Sequence, residues 1–172
     1  MLSPTPEGIE LMGRVSAGLI MYRVRGERVE VLLVHPGGPL WAKKNLGAWS
    51  IPKGEAGDGE DLLLTALREF EEETGIRPQG EFIPLGTVRQ KSGKTVAAWA
   101  FEGDCDPRSI KSNAFRMEWP PHSGKQQEFP EMDRAEFFTI PEAKKHINSG
   151  QVGLLAELER RLAKPLPANR NP

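Results

Sequence analysis

Residues Gly54 to Ile76 read GEAGDGEDLLLTALREFEEETGI. Leu63, Ala66, Leu67 and Phe70 recur at helical spacing and form an apolar stripe. Asp58, with Asp61 three residues on, reads as an N-cap with an acidic first turn, and Gly75 as the stop. The spacing therefore predicts a helix over about Gly59 to Thr74. Within it Glu69, Glu72 and Glu73 stand at i, i+3 and i+4, so their carboxylates project from one face. Three like charges there repel one another, and the base at hand is Arg68, four residues before Glu72. A hard divalent cation such as Mg2+ takes oxygen ligands and would neutralise the cluster. Taken alone, a Glu run also reads as a solvated acidic face. What separates the two readings is the set of residues around it.

Gly54, Glu60, Arg68, Glu69, Glu72, Glu73 and Gly75, with apolar Phe70 and Ile76, stand at fixed offsets. The pattern resembles the signature of the Nudix hydrolases, G-x5-E-x7-R-E-U-x-E-E-x-G-U with U a bulky apolar residue, at every specified position. Seven specified residues, each of a type occurring at about 7% of positions, coincide by chance roughly once in 10^8 registers, so the resemblance is specific. It implies an α/β fold, an α/β/α sandwich around a mixed central sheet, over about residues 13 to 163. It also implies hydrolysis of a diphosphate linkage by water attack at phosphorus, with Mg2+, or Mn2+ as a substitute, handling the phosphate charge. Position by position it assigns Glu69 and Glu73 as principal metal ligands, one helical turn apart. Glu72 becomes a further ligand or the base that takes the proton from water, and the Lys53 backbone carbonyl a ligand outside the carboxylates. Arg68 would orient one of the glutamates, and Glu60 would hold the loop or a water. Gly54 and Gly57 let the loop fold back against the helix. Some relatives draw another carboxylate, as base or ligand, from the loop before the last strand; Glu131 matches that placement, with Glu128 and Glu136 as rivals.

Length and composition bound the alternatives. The chain has 172 residues, 38% hydrophobic and 27% charged, which suits one domain with a substantial core. Its net charge of -1 provides no overall field for nucleic acid or an anionic membrane, so neither is an expected partner. A polyanionic ligand must then be held by a local basic patch or by metal. Cys105 is the sole cysteine, which excludes an intramolecular disulfide and points to a reducing compartment. No apolar run approaches a membrane span and the N-terminus lacks a signal-peptide layout, so a cytoplasmic protein, monomer or homodimer, is expected.

Along the chain, residues 1–12 read as a loose arm and 164–172 as a frayed tail. Arg14 to Arg23 and Val29 to His35 read as a hairpin about Arg25-Gly26-Glu27. The segment PGGPLWAKKNLGAW is a loop, followed by a short strand at Ser50 to Pro52. Glu81 to Gln90 and Thr95 to Glu102 form a second hairpin about Ser92-Gly93. Asn113 to Trp119 and Ala135 to Ile140 are further strands. Pro141 opens a short helix through about Asn148, capped by Thr139 or Ile140, and Leu154, Leu155, Leu158 and Leu162 mark a closing helix from Val152 to Ala163.

The substrate is addressed by cations and aromatics. Lys53 in Pro52-Lys53-Gly54 resembles the form found in Nudix members acting on dinucleoside polyphosphates and diphosphoinositol polyphosphates, where an ammonium group meets an additional phosphate. Lys43, Lys44 and Arg14 would extend that surface, and Trp41 is the preferred residue for stacking on a nucleobase among the four tryptophans. Against one named substrate, the tyrosine common in diadenosine-tetraphosphate hydrolases is missing around Ser92 to Lys94, as is the proline usual in ADP-ribose pyrophosphatases. The leading expectation is a hydrolase of a dinucleoside polyphosphate such as diadenosine tetraphosphate. Nucleoside triphosphates and diphosphoinositol compounds are the alternatives within the enzyme class, and a non-catalytic Nudix ligand sensor lies outside it.

Overall fold

The computed structural model describes residues 14–163, so the expected arm and tail lie outside the described residues. Strand β1 (Val15–Arg25) is buried on both faces for most of its length, as its near-continuous apolar run requires. It is the hub of a mixed sheet. On one side it pairs in parallel with β5 (Thr95–Glu102), which pairs antiparallel with β4 (Ile83–Arg89). On the other side its two halves take different partners. Tyr22 to Arg25 pair antiparallel with β2 (Arg28–Pro36), whereas Ser16 to Gly18 pair with the short β3 (Lys53–Glu55). Strand β2 then pairs with β8 (Met132–Thr139), giving the order β4-β5-β1-β2-β8 with β3 beside β1.

The predicted strand at Ser50 to Pro52 is displaced. Ser50 makes one isolated bridge to Val34, and the ladder proper begins at Lys53. The cause is Gly18. A Cβ there would lie 2.6 Å from the Pro52 carbonyl oxygen and 2.8 Å from Lys53 Cβ, so the missing side chain lets Lys53-Gly54 close onto β1.

Alternation along the strands sorts side chains into two layers. Ala17, Leu19, Met21, Leu32 and Phe101 meet Ala66 and Phe70 of helix α1 (Leu62–Thr74). Ile20, Tyr22, Val31, Leu33 and Ala98 face the other way, towards helices α2 (Ile140–His146) and α3 (Val152–Ala163), whose Leu154, Leu155 and Leu158 are fully buried. The α/β/α sandwich is thus present. Among the described residues no helix is long and apolar enough to cross a membrane.

Other local differences have local reasons. Helix α1 is capped by Asp61 rather than Asp58, because Gly59 turns the chain at φ 71° between them, and the helix starts at Leu62 instead of Gly59. Thr139 is the N-cap of α2, although its side chain makes no cap hydrogen bond, and the helix stops at His146. The segment after the predicted Asn113 to Trp119 strand returns as a partner for it. Strands β6 (Ala114–Glu118) and β7 (Gln126–Pro130) form a separate two-stranded ribbon with Phe115 opposite Phe129.

Candidate active site

Helix α1 is fixed at both ends. Leu64 N–H donates to Asp61 Oδ1 at 3.0 Å, and Gly75, left-handed at φ 75°, returns its N–H to the Glu71 carbonyl. Phe70 is fully buried edge-on against Phe101, with ring centroids 5.2 Å apart, and this contact sets the rotation of the helix. With Ala66 and Phe70 turned into the core, Glu69 and Glu73 lie along the side that meets β3, while Glu72 is half exposed beside Arg68.

There the bend Lys53-Gly54 closes on the helix. A Cβ on Gly54 would overlap the Glu69 carboxyl group, so that carboxylate occupies the space a side chain would take. The Lys53 N–H donates to Glu73 Oε2 at 3.2 Å. Arg68 ties the acids together. Its Nη1 donates to Glu69 Oε1 at 3.0 Å and to Glu72 Oε1 at 3.4 Å, and its Nη2 to Glu60 Oε1 at 3.0 Å. Glu60 in turn accepts the Gly57 N–H at 2.8 Å, closing the loop onto the helix.

The electrostatics follow from this packing. Burial, reinforced by Glu69 and opposed by Lys53, pushes the Glu73 carboxyl up to about 8. Burial likewise raises Glu69, with Arg68 opposing it and Glu72 and Glu131 adding to it. Glu60 is held below the usual carboxylate range, chiefly by the Gly57 N–H and then by Arg68. Burial lowers the Lys53 ammonium group, which stands among Glu73, Lys94, Glu55 and Glu69 rather than out in solvent.

A cleft of about 150 Å3 joins Lys53 and Glu73 to Glu131, with Pro36 and Met132 on its wall. The structure brings Glu131 to this cleft and neither rival. Glu128 is on β7 beside Arg116, and Glu136 is on β8, at a different cavity. A larger cavity of about 520 Å3, between Val29, Thr139 and Leu162, contains none of the α1 carboxylates.

None of the remaining sequence candidates lines the cleft. Arg14 pairs with Glu55 at 3.2 Å on the edge of β3. Trp41, Lys43 and Lys44 lie on the loop between β2 and β3, with Lys44 Nζ 4.9 Å from the Trp41 ring centroid. Trp49 is 1% exposed and belongs to the core. Lys94, which the sequence did not single out, lies 3.6 Å from Glu55, beside Lys53. Only the parallel β1–β5 pairing brings it there, and no local signal announces that pairing.

The donor set suits a hard cation. All its members are oxygens, one of the carboxylates is poorly stabilised as an anion, and a guanidinium already sits between two of them. Among the described residues no three His, Cys, Asp or Glu side chains come together closely enough to hold a metal ion by themselves. A cation at this face would therefore fill its shell partly from the Lys53 carbonyl and water.

Residues 12–158 match the NUDIX domain family model. The chain belongs to the Nudix family. Among curated Nudix relatives, an asymmetrical bis(5'-nucleosyl)-tetraphosphatase of Rattus norvegicus is 36% identical over 99 residues, covering 51% of this chain and 63% of that protein. An RNA pyrophosphohydrolase of Caulobacter vibrioides is 42% identical over 53 residues, 28% of this chain and 31% of its own length. The chain thus spans less than two thirds of the curated relatives it matches. A C. elegans Ap4A hydrolase structure superposes on this Nudix fold with a TM-score of 0.62 at 22% identity, over 86% of this chain and 98% of that one.

Proposed function

We propose that this Nudix protein is a Mg2+-dependent pyrophosphohydrolase cleaving a diphosphate linkage in a nucleotide-type substrate, preferentially a dinucleoside polyphosphate such as diadenosine tetraphosphate. The observation that carries the reading is the closure of Lys53-Gly54 onto Glu69 and Glu73, with Glu73 destabilised as an anion and Arg68 joining Glu72 to Glu69. Glu69, Glu73, Glu72 and the Lys53 carbonyl would hold the ion. When bound, Mg2+ neutralises phosphate oxygens and makes water a better nucleophile.

The chain's own groups supply the rest. Arg68 keeps Glu69 and Glu72 aimed at one region, and Glu60 fixes the loop through Gly57. Glu131, which shares the cleft with Glu73, would accept a proton from the attacking water, a role for which Glu72 is the rival. Lys53, flanked by Lys94, provides positive charge for one more phosphate than a simple diphosphate has. A 150 Å3 cleft admits phosphates and not a nucleoside. The nucleosides would then extend over the neighbouring loop, where Trp41, Lys43 and Lys44 are exposed. That geometry favours a long polyphosphate with terminal bases, and the rat and C. elegans proteins named above are consistent with it.

The test is a screen of the pure protein with Mg2+ against dinucleoside polyphosphates, nucleoside triphosphates, ADP-ribose and diphosphoinositol polyphosphates, with products identified. The reading expects the highest kcat/KM on a dinucleoside tetraphosphate. Faster cleavage of triphosphates or diphosphoinositol compounds transfers the assignment to them. Binding without turnover would make the protein a sensor.

A further inference from the structure

His35, next to last in β2, is completely buried. Its Nδ1 stands 2.7 Å from Asp133 Oδ1, and its Nε2 stands 2.6 Å from the backbone carbonyl of Lys44. A peptide carbonyl can only accept, and an ionised carboxylate can only accept. Satisfying both partners requires the ring to donate from both nitrogens, which makes it an imidazolium. The short spacings match charge-assisted bonds. A buried charge needs a counter-charge, and Asp133, 33% exposed, supplies it. Arg134 supports the ionised carboxylate, with its Nε 3.9 Å from Asp133 and its guanidinium 5.2 Å above the Trp49 ring. That same Trp49 meets His35 edge-on at 5.1 Å and separates it from His146.

We propose that His35 is a positioning residue, a buried cationic pin that fastens the loop between β2 and β3 to the start of β8 and so fixes where Trp41 and Lys44 meet the substrate. The pinned carbonyl belongs to Lys44 itself. The Lys44 N–H donates to the Trp41 carbonyl at 2.9 Å, and its ammonium lies over the Trp41 ring, so the pin sets both side chains. At its other end it holds Asp133, two residues beyond Glu131, whose carbonyl accepts the Gly37 N–H at 2.9 Å. One buried residue therefore links the loop carrying the aromatic and cationic groups to the strand that follows the candidate base directly.

Three readouts test this on the full chain. Nitrogen-resolved NMR of histidine-labelled protein at pH 7 should show protons on both His35 ring nitrogens; a single proton overturns the charge assignment. Hydrogen exchange over residues 38–48 should quicken about tenfold in His35→Leu and in Asp133→Ala, with β1 and β5 unchanged. Equal exchange in the loop overturns the pin. Should His35→Leu fail to fold, Asp133→Ala still decides. The third readout rests on the proposed function. In both variants KM for the best substrate should rise about tenfold with kcat within about twofold, and an unchanged KM overturns the positioning role. A wild type without turnover would defeat the proposed function alone, leaving NMR and exchange to judge the pin.

Discussion

Gly54 and Glu69 share one volume: the glutamate carboxyl group occupies the position a Cβ on the glycine would need. The relationship joins β3 to a helix fifteen residues on, and it is what holds Glu69 beside Glu73. Gly54→Ala should therefore leave the sandwich folded, since its layers pack elsewhere, while displacing the carboxylate. Displacements of about 1 Å at a reacting centre cost roughly a hundredfold. Circular dichroism should match wild type as kcat/KM falls by about that factor; an unchanged kcat/KM would show that Glu69 need not stand there.

Arg68 is 44% exposed, so its ion pairs contribute little to stability. Its contribution is orientation, through a planar fork that lysine lacks. Arg68→Lys should lower activity about tenfold to a hundredfold with the melting temperature within about 2 °C of wild type. A large loss of stability with activity retained would make Arg68 a structural residue.

Lys53 contributes its side chain to substrate and its backbone to the site, and the two can be separated. Lys53→Met retains the aliphatic stem and removes the charge. The expected result is a loss of roughly tenfold or more in kcat/KM for a dinucleoside tetraphosphate and a smaller one for a nucleoside triphosphate. Equal losses would remove the preference for long polyphosphates.

The closing helix from Val152 to Ala163 and the end of α1 at Thr74 were legible in the sequence, because apolar periodicity and the Gly75 stop are local signals. So was the spacing of the glutamates. The β3 register was not, since it depends on Gly18 meeting Pro52 and Lys53 from a strand over thirty residues earlier. Strand β7 was hidden for a related reason: QQEFP has no alternation of its own and is ordered by pairing with β6. His35 gave no signal at all, because neither Asp133 nor the Lys44 carbonyl can be placed beside it without the β2–β8 pairing.

The Glu73 carboxyl gives a pH dependence whose sign is fixed. Its folded value of about 8 exceeds the ordinary 4.5, so the folded chain retains a proton that the unfolded chain releases between those values. Stability from this group is complete below about pH 4.5, declines as the pH rises and is lost by about pH 8. In the presence of a chelator, wild type should therefore lose melting temperature relative to Glu73→Gln between pH 5 and pH 8. Parallel curves would mean that Glu73 is not buried as an uncompensated acid.

The most direct test is the steady-state rate of the best substrate in Mg2+ for wild type and Glu73→Gln, with the fold of each verified. Replacing one carboxylate oxygen by an amide removes charge and keeps shape, so only the cation-holding role is lost. Several kcal/mol of transition-state stabilisation correspond to a rate loss of roughly a thousandfold, and that is the predicted result. A Glu73→Gln protein as fast as wild type would contradict the account.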